Sequence, residues 1–533
     1  MVCNVHIEFK RVQTWLFQVP RLAAMVGANA LLGETIRFEL YNLAKSGGNF
    51  WQLVPEANAG EYPVADVADP LCAYTDPACQ DNPRTDAEQG ILSRDGGHFE
   101  ALFASEENAD AFAKAASDLL RRKLPDLLFN ISIGNRRLPP VTVALSAELP
   151  VLTPCQWSGR GLASTQISKG GEKPAVSIDA WHRWETAGRK KNDTSYDLAS
   201  LLSSTTMLGD LRRAEDFGEL AGSGYMAVVH ADGNGMGSRV QGLSLAQKTE
   251  LFHRNRVLLR RALKAAIDSE CADWPSDQSA PLMLLMLGGD DLLVVCKAAI
   301  ALPFVKELCL KFEGLQQEPV APDRSKLLTL GIGVVIAKPT VPIHRLHAVA
   351  EHLASSAKRR FRGFSPEEDK RSVVDWAVYT TAWTEDPEVV RQKNWIRGTS
   401  ANPRVLSRRP MDVSGKGLDS LQGLLDAAQK LEGAPRSQLR YLVEQLSKGQ
   451  KLTELAFREL SSKARKALKT AGIEKENIWT DEDEAVGGQK FKLTSILDLV
   501  EVLEISRLGR AGSDRNRADA SVEEGGDNRN EQE

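Results

Sequence analysis

Four consecutive residues, Gly288-Gly289-Asp290-Asp291, combine what a divalent cation and a nucleotide triphosphate require. Mg²⁺ prefers oxygen ligands in octahedral geometry and is usually held by one or two carboxylates plus substrate phosphates. Two such ions, about 3.5–4 Å apart, can clamp the attacking and leaving oxygens of an in-line phosphoryl displacement. Gly288 and Gly289 carry no side chain to obstruct a nucleotide, and they allow a tight hairpin. Upstream, Asp232 opens a second bare loop with Gly233, Asn234, Gly235 and Gly237, whose backbone N–H groups suit phosphate oxygens. Asp232, Asp290 and Asp291 are therefore the candidate catalytic carboxylates and ligands of Mg²⁺ or Mn²⁺. Gly233, Asn234, Gly235, Gly288 and Gly289 are the candidate nucleotide contacts. An Asp-Asp turn behind two glycines is often only a solvated hairpin. Three features set this one apart: apolar strands on both sides, the topological place of Asp232, and the absence of the acidic pair from a second copy of the pattern.

That place follows from the elements around the motif. Tyr225–His230 reads as a short apolar strand, and Leu243–Ile267 has apolar residues at helical spacing. Pro281–Leu287 and Leu292–Cys296 read as strands on either side of the motif. Leu302–Phe312 reads as a helix with Pro303 in its first turn, Leu327–Ile336 as a strand and Ile343–Arg360 as a helix. The order β-α-β-β-α-β is the ferredoxin-like plan. There the first and third strands are antiparallel neighbours, so the end of strand one, at Asp232, lies beside the turn holding Asp290 and Asp291.

The first part of the chain repeats the order. Val2–Phe9 reads as a strand. Arg11–Leu43 is mostly helical with breaks at Gly27 and Gly33, and residues 56–95 read as an irregular insertion. A strand (His98–Ala104), a helix (Glu106–Arg122) and a strand (Leu127–Ile133) follow. Gly96-Gly97-His98-Phe99 occupies the place of Gly288-Gly289-Asp290-Asp291, so the two stretches read as a divergent duplication whose first copy has lost its acids. Past about residue 380 the pattern is helical, at Leu418–Leu431, Ser437–Leu446, Leu452–Leu468 and Leu493–Ile505. The fold class expected is α+β: two ferredoxin-like palm domains with a helical C-terminal domain. The divisions are 1–149 (degenerate first palm), 150–222 (linker), 223–380 (catalytic palm), 381–508 (helical domain) and 509–533, an almost wholly polar stretch that reads as a disordered tail.

Length and composition set the limits. The chain has 533 residues, enough for roughly three or four domains. A net charge of −4 gives no basic signature for autonomous nucleic-acid binding, so such contact would need a local patch or a partner. Seven cysteines without a CxxC pair argue against a disulfide framework and for a reducing compartment. The N-terminus lacks a signal-peptide core, and no apolar run approaches the roughly 20 residues needed to span a bilayer. A cytoplasmic protein without membrane contact is expected.

YMAVVHADGNGMG followed by MLGGDDLLVVC resembles the catalytic palm of the large, polymerase-like subunit of type III CRISPR effector complexes. VQTWLFQVPRLAAMVGANALL resembles the start of that family's first palm, and LTLGIGVVIAKPTVPIHRLHAVAEHLASSAKR the end of its second. RVLSRRP and the helical stretch behind it resemble the entry to its C-terminal domain. The likeness spans most of residues 1–470. It implies ATP as substrate, polymerised to cyclic oligoadenylate when the complex has bound target RNA. It also implies other type III subunits and CRISPR RNA as partners. Metal ligation carries over to Asp232, Asp290 and Asp291, and Lys358 matches a lysine that would contact triphosphate. The sequence departs from the family at three places. No His-Asp dipeptide marks an HD nuclease, so a short form without that domain is expected. Ser158, after Cys155, stands where a second zinc-module cysteine would be, which argues against zinc and makes 150–222 a degenerate zinc-module-like region. Asn234 replaces a commonly acidic position, which can ligate through its carbonyl. Two other readings share the motif: a stand-alone GGDEF-like cyclic-dinucleotide synthase, and an inactive nucleotide-binding scaffold subunit.

Other groups read more plainly. His344, His347 and Glu351 share one helix face and read as polar surface rather than metal ligands. Arg359, Arg360 and Arg362 suit a helix C-terminus. Arg189, Lys190 and Lys191 read as a solvated loop, Trp181 and Trp184 as packing, Cys72 and Cys79 as inert, and Arg408 and Arg409 as linker residues.

Overall fold

The computed structural model describes residues 2–48, 50–72, 80–139, 153–168, 171–189, 198–222, 224–316, 327–364, 370–380, 386–399, 402–482 and 491–508. Cys79, Lys190, Lys191 and the expected tail at 509–533 lie outside the described residues. The chain forms two compact units. One comprises Met1–Phe217, Gly235–Val294 and Pro342–His344; the other comprises Gly218–Asn234, Val295–Val341 and Arg345–Glu533.

In the first unit Val5, Ile7 and Phe9 alternate with His6, Glu8 and Lys10 along the strand Cys3–Lys10. The apolar set is buried and the polar set is not, as a period of two dictates for a sheet covered on one face. The sheet runs Ile91–Ser93, His98–Phe103, Cys3–Lys10, Leu128–Ile133, Arg136–Arg137 from edge to edge. Val5 faces Ala101 on one side and Ile133 on the other. The Glu106–Lys123 helix begins at Ser105, whose side chain accepts from the Asn108 N–H. Glu106 and Glu107 lie in its first turn, and Arg121, Arg122 and Lys123 in its last. Phe112 on this helix packs on Phe99 and Phe103 of the sheet.

Gly27 and Gly33 do not break the chain as expected. The helix Leu22–Glu34 runs through both, and the interruption comes earlier, around Pro20. Gly27 instead permits a close crossing, because a Cβ there would sit 1.9 Å from the Arg183 carbonyl oxygen of the Ile178–Arg189 helix. Trp181, Trp184 and Trp157 pack against a cluster that includes Cys155, Val19 and Val176. Beside this cluster, burial and the neighbouring Asp179 charge push the Asp126 carboxyl up to about 6, against the pull of Arg183. A raised folded-state value means the native state binds the extra proton between the unfolded value of 3.8 and about 6, so stability falls as pH rises through that window. Asp126→Asn should stabilise the chain by about 1 kcal/mol at pH 7.5, discounted for partial exposure, and by nothing below about pH 4. Urea unfolding at the two pH values checks this. An equal effect at both contradicts it.

A second sheet runs Met411–Asp412, Val373–Tyr379, Leu330–Ala337, Met226–Gly233, Asp291–Lys297, Leu282–Leu287. Within each sheet the four core strands stand in the order fourth, first, third, second, the ferredoxin-like arrangement expected twice. In the second unit, Met226–Gly233 pairs antiparallel with Leu330–Ala337, which pairs parallel with Val373–Tyr379. The Ile343–Arg362 helix makes the crossover between these parallel strands. The near-continuous apolar runs are explained by burial on both faces. The helix comes so close that a Cβ on Gly333 would meet the Ala350 carbonyl oxygen at 1.9 Å. On its sheet-facing side His347 is buried and stacks on buried His230, with ring centroids 5.4 Å apart. His344, His347 and Glu351 therefore do not form one polar surface: His344 and Glu351 are exposed, and His347 belongs to the interior.

Three further expectations are corrected. The helix around Pro303 starts at Ala298 and runs to Gly314, so Pro303 lies in its interior and removes an intrahelical hydrogen bond. Leu452–Leu468 is two helices, Gln450–Glu459 and Ser462–Thr470, divided where Ser461 caps the second by accepting from the Ala464 N–H. Arg409 is not a linker residue. It is buried, its guanidinium lies 4.5 Å from the Trp376 ring centre and 4.3 Å from that of Trp395, and it pairs with Asp498 at 2.9 Å and Glu501 at 2.5 Å. The C-terminal region also carries a four-stranded sheet, Ile396–Thr399, Asn402–Val405, Phe491–Leu493, Thr480–Glu482, beside its helices. The six described cysteines form no disulfide with one another. Among the described residues no helix is long and apolar enough to cross a membrane.

Candidate functional site

Asp232, Gly233, Asn234 and Lys358 lie in the second unit. Asp232 is the penultimate residue of its strand and faces Gly331 across the ladder. Side chains alternate along a strand, so Asp232 points to the same face as His230, the face covered by the Ile343–Arg362 helix. Lys358, in the penultimate turn of that helix, forms an ion pair and hydrogen bond with Asp232 Oδ2. Gly331 makes room for this: a Cβ there would fall 2.7 Å from Lys358 Cγ and 2.8 Å from Asn234 Oδ1. Lys358 thus meets an expected metal ligand directly.

Asn234 is buried. Its backbone N–H donates to the Thr329 carbonyl at 2.8 Å and its side-chain amide to Thr329 Oγ1 at 3.1 Å. Those bonds tie down the end of the first palm strand. Its Oδ1, also buried, has no hydrogen-bond donor among the described residues. Of the neighbouring arginines, Arg359 pairs with Glu388, and Arg360 with Asp412 at 3.1 Å.

Gly235, Gly288, Gly289, Asp290 and Asp291 lie in the first unit. Gly235 adopts a left-handed backbone, φ 68°, and starts the short Met236–Arg239 helix. The turn before Asp291 closes with the Gly288 N–H donating to the Asp291 carbonyl at 2.7 Å. Neither Gly288 nor Gly289 has a positive φ, so the hairpin does not need glycine for its backbone, contrary to expectation. A Cβ on Gly289 would meet nothing within 4 Å. The bareness of the turn is unused by the chain itself, which suits the approach of a ligand. In the first sheet the corresponding Gly96 and Gly97 do take left-handed angles, φ 63° and 78°.

Two residues escaped the sequence reading. Gln13 Nε2 donates to Asp291 Oδ2 at 2.8 Å, and the Asn255 side-chain amide donates to the Gly289 carbonyl at 3.4 Å. Nothing in local sequence marks either, since a polar amide on a helix reads as surface.

The donor set suits a hard cation: Asp232, Asp290 and Asp291 offer carboxylate oxygens with no thiolate or imidazole among them. Among the described residues no three His, Cys, Asp or Glu side chains are gathered as a metal-binding group. One or two carboxylates with substrate phosphates suffice for Mg²⁺. The bare turn at Gly289 is consistent with that.

Residues 225–363 match the family model of the second palm domain of Cas10/Cmr2. No curated protein matches the sequence. Among solved structures, the apo Csm1–Csm4 cassette is 13% identical with a TM-score of 0.43, over 95% of this chain and 70% of that one. The Csm1–Csm4 cassette in complex with cA4 is 13% identical with a TM-score of 0.42, over 95% and 70%. Csm1 in T. onnurineus is 14% identical with a TM-score of 0.39, over 70% of this chain and 53% of that one. Likenesses at these identities and scores assign no activity.

Proposed function

We propose, from the premise that residues 225–363 form a Cas10-like second palm, that the chain is the nucleotidyltransferase subunit of a type III CRISPR ribonucleoprotein, converting ATP to cyclic oligoadenylate once target RNA is bound. The observation that carries the reading is the coincidence of that family match with an intact set of three carboxylates at the two turns the palm fold devotes to it. Asp232, Asp290 and Asp291 would hold Mg²⁺ or Mn²⁺. The ion, when bound, neutralises phosphate charge and lowers the barrier to displacement of pyrophosphate by a ribose hydroxyl. The chain's own residues do the rest. Gly233, Gly235, Gly288 and Gly289 leave space and backbone N–H groups for phosphates. Lys358 forms an ion pair with Asp232, and on nucleotide binding its ammonium would be available to the triphosphate. Neighbouring subunits and CRISPR RNA would supply the target-RNA signal, and the cytoplasm the ATP.

A nucleotide-binding scaffold without turnover is the second reading, and the Lys358–Asp232 ion pair favours it by occupying a carboxylate. The test is to incubate the assembled complex with ATP, Mg²⁺ or Mn²⁺ and target RNA, and to identify products by mass. RNA-dependent cyclic oligoadenylate is expected. A cyclic dinucleotide made by the chain alone would replace the reading with the stand-alone synthase. Nucleotide binding by calorimetry without any product would replace it with the scaffold.

A further inference from the structure

The segment after the first strand reaches the acidic turn through Gln13. Lys10 ends the first strand, Arg11 turns the chain in the left-handed region at φ 54°, and Val12–Leu16 forms one short helix. Arg11 is the sole non-glycine residue with positive φ among the described residues, a conformation costing about 1–2 kcal/mol that persists only where the surroundings impose it. They do so here. The Trp15 indole N–H donates to Asp179 Oδ1 at 3.1 Å. Arg183 Nη1 donates to the Trp15 carbonyl at 2.8 Å and its guanidinium lies 4.2 Å from the Trp15 ring centre. Asp179 and Arg183 are themselves paired and almost fully buried. The helix carrying Gln13 is therefore pinned from the Ile178–Arg189 helix, and Gln13 Nε2 is delivered to Asp291 Oδ2 at 2.8 Å.

An aspartate's terminal torsion is broad and roughly two-fold, so a hydrogen bond to Oδ2 biases the orientation in which Asp291 presents its carboxylate. A neutral amide fixes its orientation without cancelling its charge, unlike the Lys358 ammonium on Asp232. Partners of that kind typically change metal affinity 10–100-fold when removed. We infer that Gln13 is a positioning residue for the metal site: the first palm, although without acids of its own at Gly96-Gly97-His98-Phe99, orients Asp291 and is part of the site's construction. The inference rests on the proposed role of Asp291 as a ligand.

The test measures Mn²⁺ binding to the full chain by electron paramagnetic resonance, with a non-hydrolysable ATP analogue present, and analogue binding in EDTA by calorimetry. Gln13→Leu should raise the Mn²⁺ Kd at least tenfold, leave the metal-free analogue Kd unchanged, and add nothing further in an Asp291→Ala background. Gln13→Asn keeps the amide but withdraws it by one methylene. It carries the same expectation should the leucine variant fold poorly. If Gln13→Leu or Gln13→Asn binds Mn²⁺ within threefold of wild type while Asp291→Ala loses it, the site stands and the positioning role is overturned. If Asp291→Ala itself keeps wild-type Mn²⁺ affinity, the functional reading fails, and the inference with it.

Discussion

Asp232→Ala, and separately Asp290→Ala combined with Asp291→Ala, should each lower cyclic oligoadenylate synthesis by the assembled complex at least about a thousandfold. A metal held by these carboxylates stabilises transition-state charge by several kcal/mol, and about 4 kcal/mol corresponds to three orders of magnitude in rate. The two variants separate chemistry from binding differently. Asp232→Ala frees the Lys358 ammonium, so metal-free nucleotide affinity should hold or tighten even as turnover vanishes. The Asp290/Asp291 double variant leaves the Lys358–Asp232 pair in place and should show no such gain. Neither should unfold the chain. The Asp232 carboxylate is 34% exposed, and ion pairs so placed contribute about 1 kcal/mol or less. Product quantified by mass, with calorimetry in EDTA, checks both arms. Wild-type turnover in either variant would remove the carboxylates from the mechanism.

The positions of these aspartates, at a strand end and in the turn between two strands, were legible in the sequence because their signal is local. An aspartate closing an apolar run, and two more between two glycines and another apolar run, report both type and place within a few residues. The doubled strand order was legible for the same reason, through alternation in one sheet and continuous apolar runs in the other. His347 should have been legible too. It falls with Ile343, Leu346, Ala350 and Leu353 on the apolar stripe of its helix, and its polar type hid its position. Gln13 and Asn255 could not be read this way. Gln13 acts on a residue 278 positions away, and no periodicity marks an amide chosen for its reach. Arg409 was misread because Arg-Pro in a polar stretch looks like a linker, whereas its partners Asp498 and Glu501 come from the last described helix.

The irregular insertion at residues 56–95 carries the second large expected effect. Its aspartates are not solvated loop charges. Asp69 accepts from Arg260 Nη1 at 2.7 Å, and Asp81 takes both Arg256 Nε at 2.7 Å and Nη2 at 2.9 Å. Asp95 lies 3.2 Å from Arg37, and Asp86 is 2.7 Å from Arg94. Burial alone would push the Asp81 carboxyl up, but Arg256, His253 at 3.4 Å and Arg260 together hold it well below the usual carboxylate range. Arg256, Arg260 and His253 all stand on the Leu245–Cys271 helix, which also carries Asn255 to the Gly289 carbonyl. The insertion therefore clamps the helix that braces the acidic turn. Arg260 is 2% exposed and Asp69 3%, so Arg260→Ala would strand a buried carboxylate and should cost about 3–5 kcal/mol in urea unfolding. Replacing both partners with apolar residues, Arg260→Met with Asp69→Leu, should recover much of that loss, because the cost comes from the unpaired charge rather than the missing attraction. The depressed Asp81 value makes the network's contribution complete above pH 3.8, and it is lost as pH falls toward the folded-state value. The Arg260→Ala deficit should therefore shrink in strong acid, where Asp81 protonates and its attraction to Arg260 is lost in the wild type as well. A deficit below about 1 kcal/mol at neutral pH, or a double variant no better than the single, would show that the insertion only decorates the helix.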